Sequence, residues 1–180
     1  MDIEGTGALG VAVVGVLGTL LSALLTQRAA DDGRRREQER AGAAAERQRR
    51  EHELRACYVA LNTTARQYLA ALADQVHALG RNGDVPAARQ RLAEARDRYR
   101  AVYAEAQLRV PEPVLDLAGP FSHGLGALYG MVRRLDAGTP RAGDSPAAAQ
   151  QGIDTGWAGL RRVRDEMRAQ LGVSRSDSGR

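Results

Sequence analysis

An uncharged stretch near the start of the chain constrains the fold more than any other feature. Residues 5–27 lie between Glu4 and Arg28 and contain no Asp, Glu, Lys or Arg. A helix of this length reaches roughly 34 Å, which exceeds the thickness of a bilayer's hydrocarbon core. Only a helix satisfies its own backbone hydrogen bonds there in a single pass. The sequence therefore predicts one transmembrane helix over 5–27.

A cleaved secretory signal peptide is the alternative interpretation of this stretch. Asp2 and Glu4 precede it, whereas a signal peptide begins with positive charge, and no A-x-A-like cleavage site follows it. The basic residues that come after it are Arg28, Arg34, Arg35 and Arg36. Positive charge stays on the cytoplasmic side, so the N-terminus is predicted outside and the remainder of the chain in the cytoplasm. These arginines also suit anionic lipid headgroups, although topology and solvation explain them more simply.

Small residues recur every four positions within the predicted span. They are Gly15, Gly18, Thr19, Ser22, Ala23 and Thr26. Such a face lets a second helix approach closely, which suggests a homodimer formed through the transmembrane helix. The alternative is that small residues are simply common in single-pass helices.

A polar stalk is predicted over 28–53. This segment is rich in Ala, Arg, Glu and Gln, which favour helix, and its first large apolar residue comes afterwards, at Leu54. All 26 basic residues of the chain are arginine and the net charge is only +4, which indicates a codon bias rather than a binding device.

Four blocks of apolar residues spaced by three and four follow the stalk. They predict helices at 54–80, 85–109, 113–136 and 145–171, with a disordered tail at 172–180. Asp84 and Ser145 are predicted helix caps, and Pro120 predicts a kink or a late start of the third helix. Matched lengths and short connections predict an all-α protein: a cytoplasmic up-down-up-down four-helix bundle on a membrane-anchored stalk.

The sequence contains no complete set of residues for a catalytic, metal or cofactor site. Asp74 and His77 have the i,i+3 spacing of di-iron bundles, but apolar neighbours occupy the core positions, so both are expected to face solvent. His52, His123 and Cys57 have no partner placed to activate them. We expect no enzyme activity, no cofactor and no bound metal.

Two arginine clusters raise the question of nucleic-acid binding. One covers residues 96–100 and the other 161–168, and acids interrupt both. Basic clusters contact phosphates without recognising sequence, but a solvated helix face explains these clusters better. Nucleic acid is therefore an unlikely partner that the sequence leaves open.

The start of the chain resembles a group of actinomycete membrane proteins. The resemblance rests on residues 11–27, on the arginine-rich stalk and on the segment Ala56 to Arg66, so it covers about the first 80 residues. These single-pass proteins are abundant in Streptomyces, and some are described as spread or transfer proteins of conjugative plasmids. The resemblance implies an integral membrane accessory protein in plasmid movement, and it implies no functional residues.

The sequence thus favours a non-enzymatic protein that recruits or organises protein partners at the cytoplasmic face of the membrane. A DNA-associated membrane tether is one alternative, based on the arginine clusters. A membrane-active, toxin-like protein is another, based on the glycine-rich span.

Overall fold

The described part of the chain is entirely helical. A computed structural model describes residues 6–80 and 83–173, and their side chains from residue 40 onward. Within those ranges the regular elements are α1 (Thr6–Gly80), α2 (Val85–Arg109), α3 (Glu112–Asp136) and α4 (Pro146–Gln170), without a strand. The predicted all-α class is confirmed.

The predicted membrane span finds no support in this structure. Among the residues described, no helix is both long enough and apolar enough to cross a membrane. The side chains of residues 5–27, including the small face from Gly15 to Thr26, lie outside the described set, as do those of Arg28, Arg34, Arg35 and Arg36.

The described residues fall into two compact units, one ending at Glu51 and one beginning at His52. In the first unit, Glu46 accepts hydrogen bonds from Arg49 at 2.8 Å and from Arg50 at 3.2 Å. The second unit begins two residues before the predicted start of the bundle at 54 and contains α2, α3 and α4.

The second unit is a helical bundle around one apolar core. Each of its four helices contributes a fully buried side chain, at Leu69, Leu92, Leu125 and Ile153. Neighbouring helices run antiparallel: Arg109 near the end of α2 approaches Glu53, and Arg89 near the start of α2 binds Asp136 at the end of α3. The predicted helical bundle is confirmed.

Side-chain hydrogen bonds to free backbone N–H groups set the starts of α2 and α4. Asp84 Oδ1 accepts a hydrogen bond from the Ala87 N–H at 3.0 Å, and Ser145 Oγ accepts one from Ala148 at 3.1 Å. Both predicted caps are confirmed. However, α3 already begins at Glu112 and continues through Pro120, so the predicted late start is wrong. Because Pro120 removes only one backbone donor, neighbouring turns keep the helix intact.

Gln75 is a polar exception within the core. Its side chain is 1 % exposed, and neither its Oε1 nor its Nε2 has a hydrogen-bond partner among the described residues. The hydroxyl of Tyr58 is also buried without a partner in the part of the chain that the structure describes. A buried polar group left unpaired costs roughly 1–3 kcal/mol, so this core contains local destabilisation that its apolar contacts must outweigh.

Charge introduced into the core should unfold the bundle. Leu61 is 3 % exposed and Leu160 is 5 % exposed, so Leu61→Asp or Leu160→Asp would bury an unpaired carboxylate in apolar surroundings. We expect each substitution to cost several kcal/mol of unfolding free energy, about the whole stability of a small domain. Circular dichroism melting measures the loss. Val59→Asp is the control because Val59 is 62 % exposed on α1, and native-like melting of a core variant would show that the core is wrongly assigned.

Candidate functional site

Three glycines on one face of α4 allow unusually close packing against its neighbours. A Cβ atom added at Gly156 would lie 2.6 Å from Leu69 Cδ2, and one added at Gly152 would lie 2.9 Å from Leu128 Cδ1. At Gly159 the corresponding distance to Phe121 Cδ2 is 3.1 Å. Real Cβ atoms essentially never come within 3.0 Å of such a neighbour, and a distance of 3.1 Å is tighter than most contacts. The helices α3 and α1 therefore contact the bare backbone of α4 at these turns.

The same glycines form part of a groove between α3 and α4. It runs from Asp116 to Met131 along α3 and from Ala148 to Arg162 along α4, with a volume of about 600 Å³. At 1.5 Å per residue the groove is roughly 22 Å long. Leu117 and Phe121, which the periodicity assigns to the core, remain partly exposed here because they line it.

The groove is lined mostly by apolar side chains, and its charged residues lie at one end. Asp116 and Arg162 are its only charged lining residues, and both lie at the end where α3 begins and α4 finishes. Neither forms an ion pair within 4 Å among the described side chains. The Thr155 hydroxyl, which also lines the groove, already donates to the Gln151 carbonyl at 2.9 Å. The site therefore suits burial of an apolar surface with charge recognition at one end.

Most of the titratable residues considered from the sequence lie on the surface and apart from the groove. Asp74, His77, His52 and His123 are all exposed. The part of the chain that the structure describes contains no group of three or more His, Cys, Asp or Glu side chains that could hold a metal ion. Cys57 is buried, and burial raises the pKa of its thiol, so it resembles a small core residue more than a nucleophile.

The first arginine cluster does not form one basic surface. The Arg96 guanidinium lies 4.6 Å from the centre of the Tyr129 ring, a cation–π contact. Arg98 instead forms an ion pair with Glu94 at 3.5 Å, as the i,i+4 spacing predicts, and Tyr99 is buried in the core.

The second cluster, on α4, is also divided. Arg161, Arg162, Arg164 and Arg168 are all exposed. Of these, Arg164 lies 3.8 Å from Asp165, and Arg162 lines the groove. Arg162 is therefore the arginine of this cluster that belongs to the candidate site.

Two bidentate ion pairs hold the end of the bundle opposite the charged end of the groove. Arg134 donates to Asp144 at 2.7 and 2.9 Å, and the Arg141 backbone N–H donates to the same carboxylate at 2.9 Å. These hydrogen bonds lower the pKa of Asp144 to about 2. Arg89 donates to Asp136 at 2.7 and 2.9 Å, which likewise lowers the pKa of Asp136. The α3–α4 connection is thus fixed where the groove ends.

Comparison with known proteins finds no matching family model, no matching curated sequence and no matching solved structure. The groove is also not among the features predicted from the sequence. Its signal is the spacing of Gly152, Gly156 and Gly159, which places three glycines along one side of α4.

The glycine contacts predict opposite effects for two alanine substitutions. Alanine favours helix over glycine by up to about 1 kcal/mol, so Gly124→Ala, where nothing lies within 4 Å of the new atom, should stabilise the bundle. Gly156→Ala forces the fully buried Leu69 to move, and we expect a net loss of about 1–2 kcal/mol. Urea unfolding of both variants measures the difference. Equal stabilisation would show that α4 does not pack through its backbone.

The Arg134–Asp144 pair predicts a specific acid sensitivity. The pKa of Asp144 is lowered from 3.8 to about 2 in the folded state, so its contribution is complete above pH 3.8 and is lost as the pH falls through about 2. We expect Asp144→Asn to be less stable than the wild type at neutral pH and to lose less stability over this acid range. Urea unfolding at successive pH values tests this, with Asp154→Asn on the exposed face of α4 as the control. Parallel pH profiles for the wild type and Asp144→Asn would contradict the assignment.

Proposed function

We propose that this chain is a non-enzymatic accessory protein that is anchored in the cytoplasmic membrane and recruits a protein partner through the groove between α3 and α4. The groove is the observation that carries the proposal. It is lined mostly by apolar residues over its roughly 22 Å, which is typical of a docking surface for another protein segment.

The anchor in this proposal is the uncharged stretch 5–27, which is long enough to span a bilayer as a helix. Arg28 and the run Arg34 to Arg36 support an orientation with the bundle in the cytoplasm. Two chains could pair through the face of small residues from Gly15 to Thr26. The pair would present two grooves side by side, which strengthens binding to a partner that carries two or more docking segments.

The first part of the chain resembles actinomycete spread and transfer proteins, which favours a role in plasmid transfer. A DNA tether is the weaker proposal, because Arg98 and Arg164 have acidic neighbours and Arg96 packs on Tyr129. Phosphate contact needs guanidinium groups that face solvent together.

Site-specific photocrosslinking in the intact cell tests the proposal. A benzophenone amino acid replaces either Gly124, which lines the groove, or Gly126, which is also exposed on α3 but does not line it. We expect a protein to be captured from position 124 and not from position 126, in a fraction that stays with the membrane after carbonate extraction.

Two results would contradict the proposal. Recovery of the chain in the carbonate-soluble fraction would remove the anchor. Capture of the same proteins from both positions would show contact along all of α3 rather than recruitment through the groove, and capture of DNA would favour the tether.

A further inference from the structure

We infer that Arg96, Arg100 and Arg133 form a binding site for a phosphate monoester, on the side of the bundle where α2 packs against α3. The ligand is a small soluble molecule or a lipid headgroup that carries a terminal phosphate. None of these arginines lines the groove between α3 and α4, so the inference does not depend on the proposed recruitment.

Tyr129 on α3 holds two guanidinium groups that come from different helices. The Arg96 guanidinium lies 4.6 Å from the centre of the Tyr129 ring, and that of Arg133 lies 6.0 Å from the same centre. Arg133 also donates a hydrogen bond to the Tyr129 hydroxyl at 3.3 Å. The Tyr129 ring therefore fixes an arginine of α2 beside an arginine of α3.

Arg100 extends the positive charge along α2. It is exposed and lies four residues after Arg96, about one helical turn away on the same face. Both arginines act on one buried group: burial raises the pKa of the Tyr68 hydroxyl, and the positive charges of Arg96 and Arg100 oppose this rise. Tyr68 contacts Tyr129, with their ring centres 6.5 Å apart. The three arginines thus lie around this pair of tyrosines.

Carboxylates do not balance the positive charge of this site. Neither Arg100 nor Arg133 forms an ion pair with any residue that the structure describes. Arg96 lies 3.5 Å from Asp97, but the Asp97 side chain is 70 % exposed, so solvent weakens this contact. Like charges held near one ring repel each other, and an anion bound between them would offset that repulsion.

The hydrogen-bond donors that remain suit a phosphate group. A guanidinium carries five N–H donors in a planar fork that matches two phosphate oxygens. Arg96 donates only to Asp97 among the described residues, because its contact with the Tyr129 ring is not a hydrogen bond. The Tyr129 hydroxyl accepts from Arg133 and keeps its own proton to donate. A phosphate monoester has three terminal oxygens and about two negative charges, so it can bind several of these donors at once.

Gly126 leaves the approach to this site open. It is exposed and lies one turn before Tyr129 on α3, and a Cβ atom added there would meet no atom within 4 Å. The site offers three arginines around one point rather than a row of them. This arrangement suits a single phosphate group and not the backbone of a nucleic acid, which requires many separate phosphate contacts.

A titration with methyl phosphate tests the inference on the full chain in phosphatidylcholine nanodiscs. Broadening of the phosphorus NMR resonance measures binding at constant ionic strength. We expect Arg133→Gln to raise the dissociation constant about tenfold, because it removes charge-assisted hydrogen bonds to the phosphate. Arg91→Gln is the matched control, because it removes the same charge from an exposed position on another face of α2. It should change the dissociation constant by less than about twofold.

Two conservative variants separate a phosphate site from a general attraction to positive charge. Arg133→Lys keeps the charge but loses the planar fork, so it should bind methyl phosphate roughly fivefold more weakly than the wild type. Tyr129→Phe keeps the ring that contacts Arg96 and removes the hydroxyl, and it should weaken binding about threefold.

Nanodiscs of two anionic lipids identify the source of the phosphate. Phosphatidic acid carries a terminal phosphate, whereas phosphatidylglycerol is anionic without one. If a lipid headgroup occupies the site, methyl phosphate should bind more weakly to the chain in phosphatidic acid nanodiscs than in phosphatidylglycerol nanodiscs. If a soluble molecule occupies it, the two affinities should be equal. Either result agrees with a phosphate site and selects one source.

Three results would overturn the inference. The first is the absence of saturable methyl phosphate binding. The second is equal weakening by Arg133→Gln and Arg91→Gln, which would indicate a diffuse positive charge instead of a site. The third is binding of a DNA duplex that both substitutions weaken to the same extent, which would favour the DNA tether.

Discussion

The packing of α4 against its neighbours through bare backbone is the contact on which the rest of the bundle depends. Leu69, Leu128 and Phe121 each lie where a side chain on α4 would otherwise stand. Their methyl groups and ring edge gain close dispersion contacts that a larger neighbour would exclude. The groove beside α3 lies along the same stretch of α4, from Ala148 to Arg162.

The aromatic core connects this contact to the opposite side of the bundle. Phe121 lines the groove and also meets Tyr99 edge-on, with their ring centres 6.3 Å apart. Tyr99 lies 5.7 Å from Tyr68 on α1 and stacks on Tyr103 at 5.9 Å. Offset and edge-on pairs of this kind add to the stability gained from burial, so the groove wall is supported from within by a continuous aromatic cluster.

The positions of the helices could be predicted from local sequence. The depth at which individual side chains are buried in the bundle could not. Asp84 and Ser145 fix helix starts because their side chains bond free backbone N–H groups, and the apolar spacing identifies Leu61 and Leu160 as core. Periodicity records which side of a helix is apolar, but not how far apart two helices lie. Leu117 and Phe121 share the three-and-four spacing of the buried residues, yet they line a groove and are only partly buried. The same spacing does not reveal the burial of Gln75, because glutamine is a polar residue.

The two ends of the bundle are stabilised by different forces. Near the turn between α1 and α2, Gln75 leaves its amide unpaired, and water reaching it on local opening would recover hydrogen bonds that the closed state lacks. Arg89 and Arg134 hold this same end through ion pairs. The other end has the longer contact between Arg109 and Glu53, at 4.0 Å, and relies more on apolar residues such as Val114 and Met167. Dissolved salt screens ion pairs and would therefore loosen the end that Arg89 and Arg134 hold. Cold weakens the hydrophobic effect and would loosen the more apolar end instead.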